Sequence, residues 1–318
     1  MWKTRLTELL GIDIPVVQGT MQWLATAPFV AAVSNAGGLG VLSSATFSRE
    51  ELRNEIKKAK ALTQRPFAVN INLFPTLRAY SVEEMIDVCH DEGVGILETS
   101  GRSPEPYMKR IKEGNTVHIH KCARVRDGVK AEALGADAAA IVGFECGGHP
   151  SHEEIPTLVL LSRLTEAIRI PVIAGGGFAD GRGLMAALSL GADGIVLGTR
   201  LMATEECPIH PAFKKALVEA DINSTTILLR SVKDHRRVFF NKAAQEVLQM
   251  EKEGVALEEI YQKMTGQRSQ EAYESGEIQK GIFPCGQAAG LIKEILPVRD
   301  VFQKVLEEAE EIRRRWSR

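Results

Sequence analysis

Val172-Ile173-Ala174-Gly175-Gly176-Gly177-Phe178-Ala179-Asp180-Gly181-Arg182-Gly183 and, one helix length later, Ile195-Val196-Leu197-Gly198-Thr199-Arg200 decide the fold class. Each opens with a short apolar run of the kind that forms a strand buried on both faces, and each ends in glycine and polar residues. Between them lies Leu190-Gly191-Ala192-Asp193, a helix end, a glycine stop and entry into the next strand; Leu134-Gly135-Ala136-Asp137 repeats the same grammar. A strand, a helix and a strand in that order is the unit of a parallel sheet.

Working outward, the same unit recurs along the first two thirds of the chain. Candidate strands are Ile14–Gln18, Leu39–Ser43, Phe67–Asn72, Ile96–Thr99, Val117–Lys121, Ala138–Gly143, Val172–Gly175 and Ile195–Gly198. A helix-forming segment follows each, at a strand spacing of roughly 20 to 30 residues. Ser48-Arg49-Glu50-Glu51 and Ser81-Val82-Glu83-Glu84 read as capping boxes that open two of the helices. Eight such units make an α/β protein, best accommodated as a (β/α)8 TIM barrel, although an open doubly wound sheet carries similar local patterns. From Asp221 to about Gly281 the chain turns polar and helical without a convincing strand. The expected organisation is therefore a barrel from 1–220 plus 282–318, closed by a helix over about 298–316, and a small helical second domain over 221–281 on the substrate side.

Composition bounds the function. The 318 residues carry 39 Lys plus Arg against 41 Asp plus Glu, a net charge of −2, so no basic field gathers nucleic acid or an anionic membrane. Apolar residues make up 44% and charged residues 25%, ordinary for a soluble enzyme. Five scattered cysteines fit reduced thiols better than a disulfide framework, and neither a secretory h-region nor a run of 18 apolar residues occurs. A cytoplasmic monomer or homodimer acting on a small molecule is the expectation.

In a barrel the loops after the strands build the active site. Here the seventh and eighth loops supply Gly175, Gly176 and Gly177, then Gly198 and Thr199. Glycine lets backbone N–H groups approach phosphate oxygens, and barrels hold phosphate at these two loops. Gln18-Gly19-Thr20-Met21 in loop one and Asn70 at the end of strand three offer polar groups and an apolar face to a flavin ring. Lys121 places a cation at the mouth, where it can steady negative charge on a reduced flavin or a phosphate. The sixth loop, Gly143-Phe144-Glu145-Cys146-Gly147-Gly148-His149-Pro150, brings backbone close to a ligand and presents His149, an imidazole able to move a proton near neutrality. Cys146-x-x-His149 and Cys207-x-x-His210 have zinc-ligand spacing, but a zinc site leaves the glycine loops unexplained, so no metal is assigned.

Together Gln18–Met21, Gly143–Pro150, Gly175–Gly183 and Gly198-Thr199-Arg200 resemble the nitronate monooxygenase (2-nitropropane dioxygenase) superfamily, which also contains FMN-dependent enoyl-acyl-carrier-protein reductases. His120-Lys121-Cys122, Cys146 and Glu206-Cys207-Pro208-Ile209-His210-Pro211 look most like its NADH:quinone reductase branch. The resemblance implies non-covalent FMN, its phosphate on Gly176, Gly177, Gly198 and Thr199 and its ring near Gly19, Thr20, Met21, Asn70, Lys121 and Gln287. It implies NADH or NADPH as reductant, admitted beside Phe74-Pro75-Thr76, and His149 as the active-site histidine. The leading expectation is hydride transfer from NADH through FMN to a quinone-like acceptor, with Lys121 and His149 catalytic. The alternatives are nitronate oxidation by O2, enoyl-thioester reduction, and a non-catalytic barrel that binds a phosphate ligand.

Overall fold

The computed structural model describes residues 2–74 and 81–316. Eight parallel strands run in the order β1 Val16–Gln18, β2 Gly40–Ser43, β3 Phe67–Asn72, β4 Ile96–Ser100, β5 Val117–Cys122, β6 Ala138–Val142, β7 Val172–Gly175 and β8 Gly194–Leu197. Each pairs with its successor from β2 to β8, and β1 pairs with β8 through Val17 opposite Val196. The remaining seam, β1 to β2, is joined by Gln18 N–H to Leu39 O and Leu39 N–H to Val16 O, both 2.9 Å. The sheet is therefore a barrel, and the open doubly wound alternative is excluded. Both capping boxes form, with Ser48 accepting from the Glu51 N–H and Ser81 from the Glu84 N–H.

Strand alternation sorts side chains into two cores. Val17, Val41, Ala68, Ile96, Ile119, Ala140 and Ile173 fill the barrel axis, plugged by Leu6 and Leu10 of an N-terminal helix, Arg5–Leu10. The alternate residues meet the surrounding helices. The last helix, Val298–Trp316, packs back onto helix Gly181–Ser189, so closely that a Cβ on Gly181 would lie 2.4 Å from Val305 O. Among the described residues no helix is long and apolar enough to cross a membrane. All five cysteines are free thiols.

The region 221–281 is mostly helical, with helices Lys242–Glu253, Leu257–Lys263 and Gly266–Ser275, but it begins with strands that the sequence reading did not expect. An antiparallel hairpin pairs β9, Thr225–Leu228, with β10, Arg236–Phe239. β9 opens with two threonines and β10 with two arginines, so neither shows the apolar run that marks the barrel strands. Leu228, Val238, Val247, Ile260 and Met264 give this cap its own core, which also takes Ile282. Beyond 281 the chain stays bound to the hairpin, Phe239 N–H donating to Phe283 O at 2.8 Å, so residues 282–285 join cap to barrel.

Candidate active site

The C-terminal ends of the strands open into a cavity of about 1050 Å3, roofed by cap residues that include Met264, Ser269 and Tyr273. Its floor follows from strand periodicity. Ala68, Ile96 and Ile119 face the barrel axis, so Asn70, Glu98 and Lys121, two residues further on, face it one layer higher. Asn70 and Glu98 are register partners across β3 and β4. One oxygen of Glu98, Oε1, accepts from Thr20 Oγ1 at 2.7 Å, Asn70 Nδ2 at 2.7 Å and Lys121 Nζ at 2.8 Å. Glu98 is 1% exposed, and Lys121 also reaches Thr20 Oγ1 at 3.3 Å. The sequence reading missed Glu98. Its only signal was a carboxylate at an inward position of a buried strand, and its three partners come from different segments of the chain.

The phosphate-type wall is built by loops seven and eight. Gly176 and Gly177 take φ of +99° and +82°, in the left-handed region that a side chain disfavours. A Cβ on Gly198 would meet nothing within 4 Å, so this Cα faces open space, while Gly19 lies against it with only 3.0 Å for a Cβ of its own. Thr199 is buried, its Oγ1 accepting the Gly286 N–H at 2.9 Å. Thr20, Met21, Asn70, Lys121, Gly147, Gly148, His149 and these loop residues line the cavity. Gln18, Gly143, Gly175 and Gln287 lie behind the wall. Gln18 shares the strand face of Val16, away from the axis, and its Oε1 accepts the Val41 N–H at 3.2 Å. Gly143 is there because helix Thr157–Ala167 starts against it, the Thr157 N only 2.3 Å from where a Cβ would sit; its own N–H donates to Gly175 O. Gln287 engages loop six through its backbone N–H to Glu145 O.

Loop six is held from three sides. Glu145 accepts from the Thr157 N–H and hydroxyl, supplying the helix cap that Pro156 cannot. Gly148 and Arg237 exchange backbone hydrogen bonds of 3.0 and 2.8 Å, adding the loop to the hairpin. The Arg237 guanidinium donates Nε to Phe144 O at 3.1 Å and lies 4.6 Å from the Phe144 ring centroid. His149 is thereby presented to the cavity, its ring centroid 5.2 Å from that of Phe74. The ring is exposed to the cavity; the protein packed around the loop, and secondarily the Arg236 charge, lower its pKa, which favours the neutral imidazole. Burial pushes the Cys146 thiol up to about 12, which leaves it protonated and unsuited to nucleophilic attack. His210, of the second Cys-x-x-His spacing, caps helix Pro211–Glu219 by accepting the Ala212 N–H, and among the described residues no group of three His, Cys, Asp or Glu side chains converges as a metal site. Pro75 and Thr76 of loop three lie outside the described residues; Phe74 lines the cavity.

This arrangement matches known proteins along its whole length. The nitronate monooxygenase family model covers residues 3–81 and 75–308. FabK from Thermotoga maritima superposes with a TM-score of 0.94 at 34% identity, covering 100% of this chain and 99% of that one. A nitroalkane oxidase from Streptomyces ansochromogenes gives 0.82 at 25% identity over 98% of this chain and 100% of its own. A (3aS,4S,5R,7aS)-5-hydroxy-7a-methyl-1-oxo-octahydro-1H-indene-4-carboxyl-CoA dehydrogenase of Mycobacterium tuberculosis is 41% identical over 231 residues; the match takes in 72% of this chain and 63% of that protein's length, less than two thirds of it. The chain belongs to the nitronate monooxygenase family.

Proposed function

We propose that the chain reduces an enoyl thioester with NAD(P)H, using FMN held in the barrel mouth. The whole-chain likeness to FabK carries this reading, because it favours the enoyl-reductase members of the superfamily over the quinone reductase that led the sequence analysis. The M. tuberculosis relative supports the substrate class, its name being that of an enzyme acting on a coenzyme A thioester. The residues fit the cofactor. The open Cα of Gly198 leaves room beside left-handed Gly176 and Gly177, whose backbone suits close approach by phosphate oxygens, and Thr199 adds a hydroxyl. Lys121, Asn70 and Thr20 offer a cation and polar groups on the floor, where the ring would lie.

FMN, when bound, supplies two-electron redox chemistry that lets nicotinamide and enoyl group use one site in turn. The overall change adds a hydride from NAD(P)H to Cβ and a proton to Cα, giving a saturated thioester and NAD(P)+. In this scheme Lys121, with Thr20 and Asn70, orients the ring at the floor. His149, neutral and on the loop under the cap, donates its N–H to the thioester carbonyl and holds it in the orientation that makes Cβ electrophilic.

The test is an anaerobic titration of the flavin absorbance with NADH or NADPH, followed in parallel by an enoyl-CoA, a quinone and a nitronate. Reoxidation by the enoyl thioester in equal stoichiometry is the expected result. Reoxidation by quinone alone would restore the quinone reductase, and bleaching by the nitronate but not by nicotinamide would point to nitronate oxidation.

A further inference from the structure

Nothing in the fold asks for a carboxylate at position 98. Its side chain caps no helix, it reaches across to Asn70 of β3 and Lys121 of β5, and the side chains below it on the axis, Ile96 and Ile119 among them, are apolar. A buried carboxylate is tolerated only when paired, and replacing a buried pair by apolar groups is often neutral or stabilising, so stability gives no reason for the Glu98–Lys121 pair. Its geometry is also unusual in direction: Thr20, Asn70 and Lys121 line the cavity, while the carboxylate on which all three converge lies just behind that wall. Whatever Glu98 does to a ligand, it does through them.

We propose that Glu98 is the positioning and charge-balancing residue of the site: it fixes Lys121, Thr20 and Asn70 beneath the cofactor and offsets the lysine charge, so that the reduced cofactor stays a strong donor to the substrate. The inference rests on the reading that FMN lies over Lys121. Reduction by a hydride from NAD(P)H, which departs as NAD(P)+, brings one negative charge to the ring. An uncompensated Lys121 would stabilise that charge and hold the electrons back; paired with Glu98 it still orients the ring but contributes little net field.

The test uses the FMN-loaded enzyme and compares wild type with Glu98→Gln, Lys121→Met and the double variant. In Glu98→Gln the flavin midpoint potential moves positive. Reduction by NAD(P)H is as fast or faster, and reoxidation by the enoyl thioester slows by about tenfold or more, the scale of one unscreened charge. Adding Lys121→Met, which removes the second charge, returns the potential toward wild type. A role confined to shape would instead lower FMN content and slow both half-reactions together. An unchanged potential in loaded Glu98→Gln, or a shift in the same sense for single and double variants, overturns the proposal. Should Glu98→Gln fold poorly, the double variant and Lys121→Met decide: the proposal requires a potential below wild type in Lys121→Met and near wild type in the double. If wild type itself takes up no FMN, the cofactor reading has failed rather than this one.

Discussion

Two buried histidines should make the protein acid-sensitive in a range where its carboxylates are still ionised. His118 and His120 alternate with Ile119 and Lys121 on β5, so they point away from the axis into the strand–helix layer, 0% and 3% exposed. Thr99 Oγ1 lies 2.8 Å from His118 Nε2 and 2.9 Å from His120 Nδ1. His118 Nδ1 is buried without a partner, which favours a bare lone pair there, Nε2–H donating to Thr99, and the Thr99 hydroxyl donating to His120. Protonating His118 would put an N–H where no acceptor exists. Burial accordingly lowers His118 to about 3 and His120 to about 4 from 6.5. The folded state thus refuses protons that the unfolded chain accepts, so the stabilising contribution is complete above the unfolded pKa and is lost as pH falls from 6.5 toward 4 and 3. At about pH 5 the unfolded chain gains about 2 kcal/mol per histidine, or about 4 kcal/mol for both. Denaturant midpoints or melting temperatures measured from about pH 7.5 to pH 5 should fall by an amount worth about 4 kcal/mol, about 5–10 °C, more in wild type than in a His118→Gln/His120→Gln variant. Paired carboxylates such as Asp87, which Arg110 holds below the usual range, respond at lower pH and cancel in that difference. Parallel slopes for wild type and variant would refute the assignment of these histidines as buried and neutral.

Two substitutions test how loop six is held. Gly143→Ala places a Cβ 2.1 Å from Thr157 Oγ1 and 2.3 Å from its N, and since the backbone there starts a helix the strain should cost about 1–3 kcal/mol, read as a lower denaturant midpoint with weaker FMN retention. Arg237→Ala removes the bonds to Phe144 O and Thr225 Oγ1 and leaves a part-buried carbonyl without its donor, so stability should drop by about 1–3 kcal/mol. Because His149 follows Phe144 by five residues, the KM for the thioester should rise more than that for NAD(P)H; equal changes in both would detach Arg237 from the histidine loop.

How much of this was legible in the sequence depended on the range of the interaction. Strand and helix identity is written in local periodicity and capping, so Phe67–Asn72 and Val172–Gly175 appear with the expected limits, and Ser48 and Ser81 cap through partners three residues away. The glycines of loops seven and eight were readable for the same reason: a left-handed backbone at Gly176 is a property of a few consecutive residues. Closure of the barrel was the leading expectation from eight successive units, but only the structure decided it, because open and closed sheets share every local pattern and differ in whether β1 meets β8, a pairing of Val17 with Val196. Alternation says that Gln18 and Gly19 face opposite ways but not which way is inward, and the polar glutamine turned out to face away from the cavity. The cap hairpin escaped notice because its two short strands are stabilised by loop six and residues 283–285 rather than by their own composition. Glu98 is the extreme case: a lone acid in a strand is uninformative until the fold brings Thr20, Asn70 and Lys121 to one of its oxygens, since a hydrogen bond constrains position to a few tenths of an ångström and only the assembled barrel sets positions that finely.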